Sequence, residues 1–259
     1  MARRLYTSPG NIPAPWPYIV TTPLDGHLKW YLERYGHAVR ALLYDSGVSL
    51  LGGAPAYPPG YLRRYIEGLG RAARLLERHA PQAELYYVVP DVPGDRAPYP
   101  LNVARTLEYA RLFLRLRGRL PGTPIAVVQG ARGDPGSLLR AYIGHRDLYD
   151  EYDVIALGRV DRRPRLIARA VAMFDQVAAR PFHAFGLPRR SLRYLAEWGL
   201  PRCMLSSADT PAYVFDLLYR NGAPKTREAM AWILLEAARR AQELLDSIPC
   251  RPGMTRWLH

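Results

Sequence analysis

Short apolar runs alternate with amphipathic helical stretches along most of this chain, and that alternation limits its folds more than any other feature. The run at 18–24 (YIVTTPL) precedes a helical stretch at 27–36 that Gly36 ends. The run at 38–47 (AVRALLYDSG) precedes a long helix at 61–80, with Leu62, Ile66, Leu69, Ala73 and Leu76 at helical spacing. Further runs follow at 84–95 (ELYYVVPDVPGD), 124–134 (PIAVVQGARGD), 153–161 (DVIALGRVD), 182–187 (FHAFGL) and 202–207 (RCMLSS). Helical stretches separate them at 102–118, with Asn102 as N-cap, and at 137–149, 162–180 and 191–200. A closing helix at 226–248 takes Thr226 as its cap.

Strands that alternate with helices run parallel, in an open doubly wound sheet or in a closed barrel. No G-x-G-x-x-G follows the first strand, so the dinucleotide-binding fingerprint is missing. Instead, a polar or acidic residue ends nearly every run: Asp45, Asp91, Gln129, Arg159 and Asp209. A ring of such residues at strand C-termini is how a barrel builds a site. The expectation is therefore an α/β fold, a TIM-type (β/α)8 barrel, in a single domain over residues 1–259 with a Pro-rich segment at 1–17. The eighth strand falls either in that Pro-rich segment or at an irregular edge after Tyr213.

Composition bears on partners more than on fold. The formal net charge is +13, and apart from Lys29 and Lys225 the cations are arginine. Arginine pairs bidentately with phosphate and stacks on bases, which suits a nucleic-acid partner. A GC-rich genome gives the same bias, and 24 prolines fit a heat-adapted, thermophile protein. No apolar run is long enough to span a membrane and the N-terminus lacks an apolar signal core, so a cytoplasmic protein with no membrane partner is expected. Cys203 and Cys250 read as isolated thiols, with neither a disulfide framework nor a zinc site. Neither metal nor cofactor is expected.

Each candidate residue has an ordinary structural reading beside the chemical one. Asp45 sits in a D-S-G turn, where Asp and Ser cap backbone amides. Asp91 lies between prolines that suit a rigid loop. Gln129 offers a donor and an acceptor, and Gly130 and Gly158 would let backbone approach a ligand closely. His183 on an alternating strand fits a satisfied core histidine as well as a site residue. Phe185 fits the core unless a planar ligand binds. Asp209 follows the run at 202–207 directly and is the leading candidate for chemistry.

The ordered set is more specific than its members: D-S-G, P-D-V-P-G-D, V-V-Q-G, A-L-G, H-A-F-G and M-L-S-S-A-D. Its order and spacing over residues 38–213 resemble the tRNA-guanine transglycosylase superfamily, with D-S-G, V-V-Q-G and H-x-x-G the most telling parts. The S-S-A-D-T segment is similar to the branch that inserts 7-deazaguanines into DNA. The resemblance implies exchange of a guanine-type base at a nucleotide's C1′ through a covalent aspartyl-glycosyl intermediate. It makes Asp209 the nucleophile, with Asp216 as the alternative register, and Asp45 the general acid/base. It assigns Asp91, Gln129, Gly130, Gly158, His183, Phe185 and Gly186 to the base. The implied partners are DNA or tRNA and a free guanine or 7-deazaguanine; a homodimer stays open. The family's D-S-G is usually followed by Gly-Phe-Gln, where this chain has Val48, Ser49 and Leu50. The Cys-rich zinc motif of the tRNA enzymes has no counterpart, so no zinc subdomain is expected. Two other classes stay open: a non-catalytic nucleic-acid-binding barrel and a base-releasing N-glycosidase.

Overall fold

A computed structural model describes residues 3–10, 14–23, 25–47, 57–95, 97–158, 163–209 and 227–252. Arg159, Val48, Ser49, Leu50, Tyr213, Asp216 and Thr226 lie outside the described residues. Eight parallel strands form the barrel: β1 (Arg4–Tyr6), β2 (Tyr18–Thr21), β3 (Ala41–Tyr44), β4 (Glu84–Val88), β5 (Thr123–Val128), β6 (Val154–Leu157), β7 (Phe182–Ala184) and β8 (Leu205–Asp209). The order is β1-β8-β7-β6-β5-β4-β3-β2, with every pair parallel. A single bridge from Thr7 to Ile19 brings the two edges together. There the Thr7 amide donates to Tyr18 at 3.1 Å and the Val20 amide to Thr7 at 2.9 Å. The eighth strand is thus the N-terminal one, from within the Pro-rich segment.

Helices α1 (Leu28–Tyr35), α2 (Tyr61–His79), α3 (Leu101–Leu116), α4 (Pro135–Gly144), α5 (Arg146–Tyr149), α6 (Pro164–Val177), α7 (Arg189–Trp198) and α8 (Arg227–Asp246) fill the connections. Strand alternation sorts the core into two layers. Tyr6, Ala41, Leu43, Val88, Ile125, Val127 and Ala156 fill the barrel's interior. Leu42, Tyr44, Tyr87, Val89, Ala126, Val128, Ile155 and Leu157 face the helices. At the N-terminal end of the strands Arg4 pairs with Glu84 and lies over the Tyr18 and Tyr86 rings. Helix α2 buries Tyr61, Tyr65, Leu69, Ala72 and Leu76, so its inner face is turned toward the tyrosines and leaves Leu62 and Ile66 half-buried.

Three local expectations need correction. Asn102 lies inside the first turn of α3 and is fully buried; its Nδ2 donates to the Gly130 carbonyl at 3.0 Å instead of capping the helix. Strand β8 starts three residues later than the apolar run, because Asp175 accepts from the amides of Arg202 (2.5 Å), Cys203 (3.1 Å) and Met204 (2.6 Å). Those amides are therefore spent before the sheet begins. Cys203 and Cys250 are not isolated thiols but a disulfide, their Cα atoms 5.5 Å apart. The two lie 47 residues apart, and only the return of the chain after α8, where Cys250 bridges Leu200, brings them together. Buried Arg3 fastens the same corner, donating to the carbonyls of Leu205, Leu245 and Ile248. A cross-link spanning 47 residues removes denatured-state entropy. The Cys203→Ser/Cys250→Ser variant should lose about 2–4 kcal/mol of stability in denaturant titrations; reducing agent should do the same to the native chain and nothing to the variant.

Candidate functional site

The inward positions continue past the ends of the strands and become the lining of a cleft. Two residues beyond inward Leu43 stands Asp45; beyond Val127, Gln129; beyond Ala156, Gly158; beyond His183, Phe185; beyond Ser207, Asp209. Val20 leads in the same way to Thr22 and Tyr6 to Ser8. Ser8, Thr22, Asp45, Gln129, Gly158, Phe185 and Asp209, with Val20, Thr21, Asp25, Ser46, Asp91, Pro93 and Gly186, line one cleft of about 380 Å3 at the strands' C-terminal face. Its volume falls within the about 300–1,000 Å3 usual for small-molecule sites.

Asp91 departs from this alternation, since two positions earlier Val89 faces the helices. Strand β4 has already ended at Val88, so the alternation no longer applies. The Tyr57 hydroxyl donates to the Asp91 carbonyl at 3.1 Å, and the Val92 amide donates to Thr106 Oγ1 at 3.0 Å. The Asp91 carboxylate, 5% exposed, then accepts from Gln129 Nε2 at 2.5 Å and Ser46 Oγ at 3.1 Å. Burial lifts this carboxyl to about 6 while those two hydrogen bonds pull it down.

Asp45 is lifted further. Burial first, then the charges of Asp209 and Asp91, push its carboxyl to about 7, against hydrogen bonds from the Ser46 and Gly47 amides. The D-S-G turn therefore does its ordinary job as well: Gly47 takes φ of 68°, and the Asp45 carboxylate caps the turn. The Tyr61 hydroxyl donates to the Ser46 carbonyl from a ring stacked on Tyr57 at 4.4 Å. One tyrosine pair thus braces both acid-bearing turns.

Asp209 is half-buried, and its Oδ1 accepts from the Gly186 amide at 2.5 Å. The Leu187 amide donates to its carbonyl at 2.9 Å. Phe185 lies in the same wall, edge-on to His183 with ring centroids 4.6 Å apart.

Two expected contacts fall outside the cleft. Gly130 turns away toward α4: a Cβ there would lie 2.5 Å from Ser137 Oγ and 2.9 Å from the Leu138 amide. Its missing side chain makes room for a helix. His183 is 0% exposed and lies beneath the cleft. Its Nδ1 is 3.0 Å from Ser207 Oγ, and its Nε2 is 3.6 Å from Asp209 Oδ1, beyond hydrogen-bond reach. Gly158 does line the cleft, but a Cβ on it would strike the Gln129 carboxamide at 2.5 Å; it keeps room for Gln129 first. Sequence reasoning missed Asp25, Ser8, Thr21, Thr22, Ser46 and Pro93. The alternation rule, extended from Tyr6 and Val20, would have found Ser8 and Thr22. Among the described residues no cluster of three or more His, Cys, Asp or Glu side chains could hold a metal ion.

No family model matches the chain, and no curated protein matches it. Solved structures give a distant likeness. The carboxyl transferase domain of Rhizobium etli pyruvate carboxylase with oxamate and biotin aligns at 13% identity and a TM-score of 0.48, covering 100% of this chain and 51% of that one. The same domain with pyruvate aligns at 12% and 0.44, with the same coverage. The complete multifunctional enzyme aligns at 13% and 0.44, over 30% of its length. This chain thus spans about half of the transferase-domain chains. These neighbours belong to an enzyme. Among the described residues no helix is long and apolar enough to cross a membrane.

The raised Asp45 carboxyl costs stability. Between its ordinary 3.8 and about 7 the folded chain holds a proton that the unfolded chain releases, so stability falls as pH rises through that window. Asp45→Asn removes the penalty. Relative to the native chain it should gain about 3–4 kcal/mol on going from pH about 4 to about 8, read from denaturant midpoints across pH. A constant difference across that range would mean that Asp45 carries no raised carboxyl.

Proposed function

We propose that this protein is a transglycosylase-like enzyme that exchanges a guanine-type base for a 7-deazaguanine in DNA or tRNA. The observation that carries the reading is the convergence of Asp45, Asp91, Gln129, Phe185 and Asp209, from five different strand ends, on one cleft. Base exchange with a covalent intermediate needs a nucleophile, a group that carries a proton both ways, and a polar face that reads the base.

Asp209 is the nucleophile in this reading. The Gly186 amide holds Oδ1, which leaves Oδ2 to attack C1′. The glycosidic C–N bond breaks and its electron pair goes to the leaving base, which takes a proton from the Asp45 carboxyl. The incoming base then returns a proton to Asp45 and attacks C1′ through its nitrogen, and Asp209 leaves as carboxylate. A carboxyl near 7 can serve in both directions at neutral pH. Asp91, already accepting from Gln129 and Ser46, keeps lone pairs for the donor edge of a guanine, and Gln129 Oε1 is a further acceptor. Phe185 covers the ring. The target nucleotide must leave its stack to reach the cleft, and the cationic surface, +13 overall, attracts the phosphates that accompany it.

Labelled guanine and 7-deazaguanine offered with tRNA and with duplex DNA should enter one of the two polymers. Asp209→Asn should abolish incorporation, and Asp45→Asn should lower it by about a hundredfold or more. The first half-reaction needs Asp45 protonated, so release of the original base should slow as pH rises above about 7. Release without incorporation would make the protein an N-glycosidase; binding with neither would make it a binding barrel.

A further inference from the structure

A second, smaller pocket opens beside the cleft. It measures about 140 Å3 and shares Thr21, Thr22 and Asp25 with the cleft; its other walls include Gly26, Leu28 and Lys29 at the start of α1, and Tyr44, Gly68 and Arg71. Three features of its walls are suited to an oxyanion. The first turn of α1 carries no side-chain cap and no acid, and its Leu28 and Lys29 line this space, which puts the positive end of the helix beside it. Lys29 and Arg71 bring two cations. Tyr44 is 2% exposed, and its hydroxyl has no hydrogen-bond partner. A buried hydroxyl without an acceptor is costly, so it marks a place where an acceptor is missing.

Gly68 ties these groups together. It sits inside α2, where glycine costs up to about 1 kcal/mol relative to alanine. A Cβ there would collide with Tyr44 Oη and stand 3.6 Å from Arg71 Nη2. The hydroxyl therefore packs on the bare backbone of Gly68, with the guanidinium close beside it. Both are donors, and an oxygen placed between them would accept from each. Burial keeps the Tyr44 hydroxyl protonated, its ionisation pushed up to about 12. The opposing charges are accounted for. Glu33 lies 3.8 Å from Lys29 on the exposed face of α1. Asp25 accepts from the His27 amide at 2.9 Å and from Thr21 Oγ1 at 3.2 Å, and its Oδ1 lies 3.1 Å from His27 Nδ1.

We propose that this side pocket is a phosphate-binding subsite, in which Arg71, Lys29 and the α1 amides supply positive charge and Tyr44 Oη supplies a hydrogen bond. Its volume of about 140 Å3 has room for one tetrahedral oxyanion. Because it opens off the cleft, its occupant is a backbone phosphate next to the nucleotide held there; that assignment of source rests on the base-exchange reading, while the affinity for phosphate does not.

Calorimetric titration with inorganic phosphate tests the site itself. The native chain should bind saturably at one site, Arg71→Gln should bind about tenfold more weakly, and Arg111→Gln, a charge loss on α3, should bind like the native chain. Tyr44→Phe should melt no lower than the native chain without phosphate, since it deletes an unpaired hydroxyl, yet should gain less than half the native rise in melting temperature when phosphate is added. No saturable binding, or equal binding by the native chain and Arg71→Gln, would overturn the subsite. Oligonucleotides test the source: Arg71→Gln should weaken binding of a guanine-containing strand, and replacing the one phosphate 5′ to the target guanosine by an uncharged methylphosphonate should remove that difference. Phosphate binding that depends on Arg71, with oligonucleotide binding that does not, would refute the backbone as source. Failure of labelled-base incorporation leaves the phosphate titration standing, so the two readings fail separately.

Discussion

Leu5 pairs with Ala208 on one side of β1, while Thr7 bridges Ile19 on the other. This short strand joins β8 to β2 and turns eight parallel strands into a ring. Parallel strands all end on the same side, and closure gathers those ends around one mouth, which is why carboxylates far apart in sequence meet there. An open sheet of the same strands would leave Asp209 and Asp45 on separate edges. Buried Arg3, held by carbonyls from β8 and from the end of α8, and the Cys203–Cys250 disulfide anchor the strand's N-terminal side.

The cleft concentrates negative charge in a strongly cationic protein. Burial raises the Asp45 and Asp91 carboxyls, and the charges of Asp209 and Asp91 raise Asp45 further, a folding cost the chain bears where chemistry would use it. The bracing is correspondingly local. Tyr57 and Tyr61, stacked on one another, hold the backbone of both acid turns. Gln129 and Ser46 then fix the Asp91 carboxylate from two sides. The side chains facing a ligand are thus positioned by hydrogen bonds to rigid elements and not by the ligand itself.

Much of this was legible in the sequence because strand alternation is a strict rule. An apolar run fixes which positions face inward, and the residue two beyond its last inward position lines the mouth. Asp45, Gln129, Gly158, Phe185 and Asp209 follow from it. The rest depended on contacts between distant segments. Gly130 looked like a place for a ligand, but the element that needs its missing Cβ is α4, through Ser137 and Leu138. His183 has the inward parity of a site residue, yet it sits one layer too deep. The disulfide joins residues whose proximity only the packing of α8 creates, and Asp25 lies in a turn after β2 that no periodicity marks.

In the proposed base exchange Asp209, Asp45 and Asp91 act on a single nucleoside in a single slot, with Asp209 bonded to the sugar. Denaturing mass spectrometry of the protein after incubation with a guanine-containing oligonucleotide, followed by peptide mapping, tests it most directly. A protein–oligonucleotide adduct that has lost one guanine and maps to Asp209 is expected. An adduct mapped to any other residue, or base exchange that proceeds undiminished in Asp209→Asn, would contradict it.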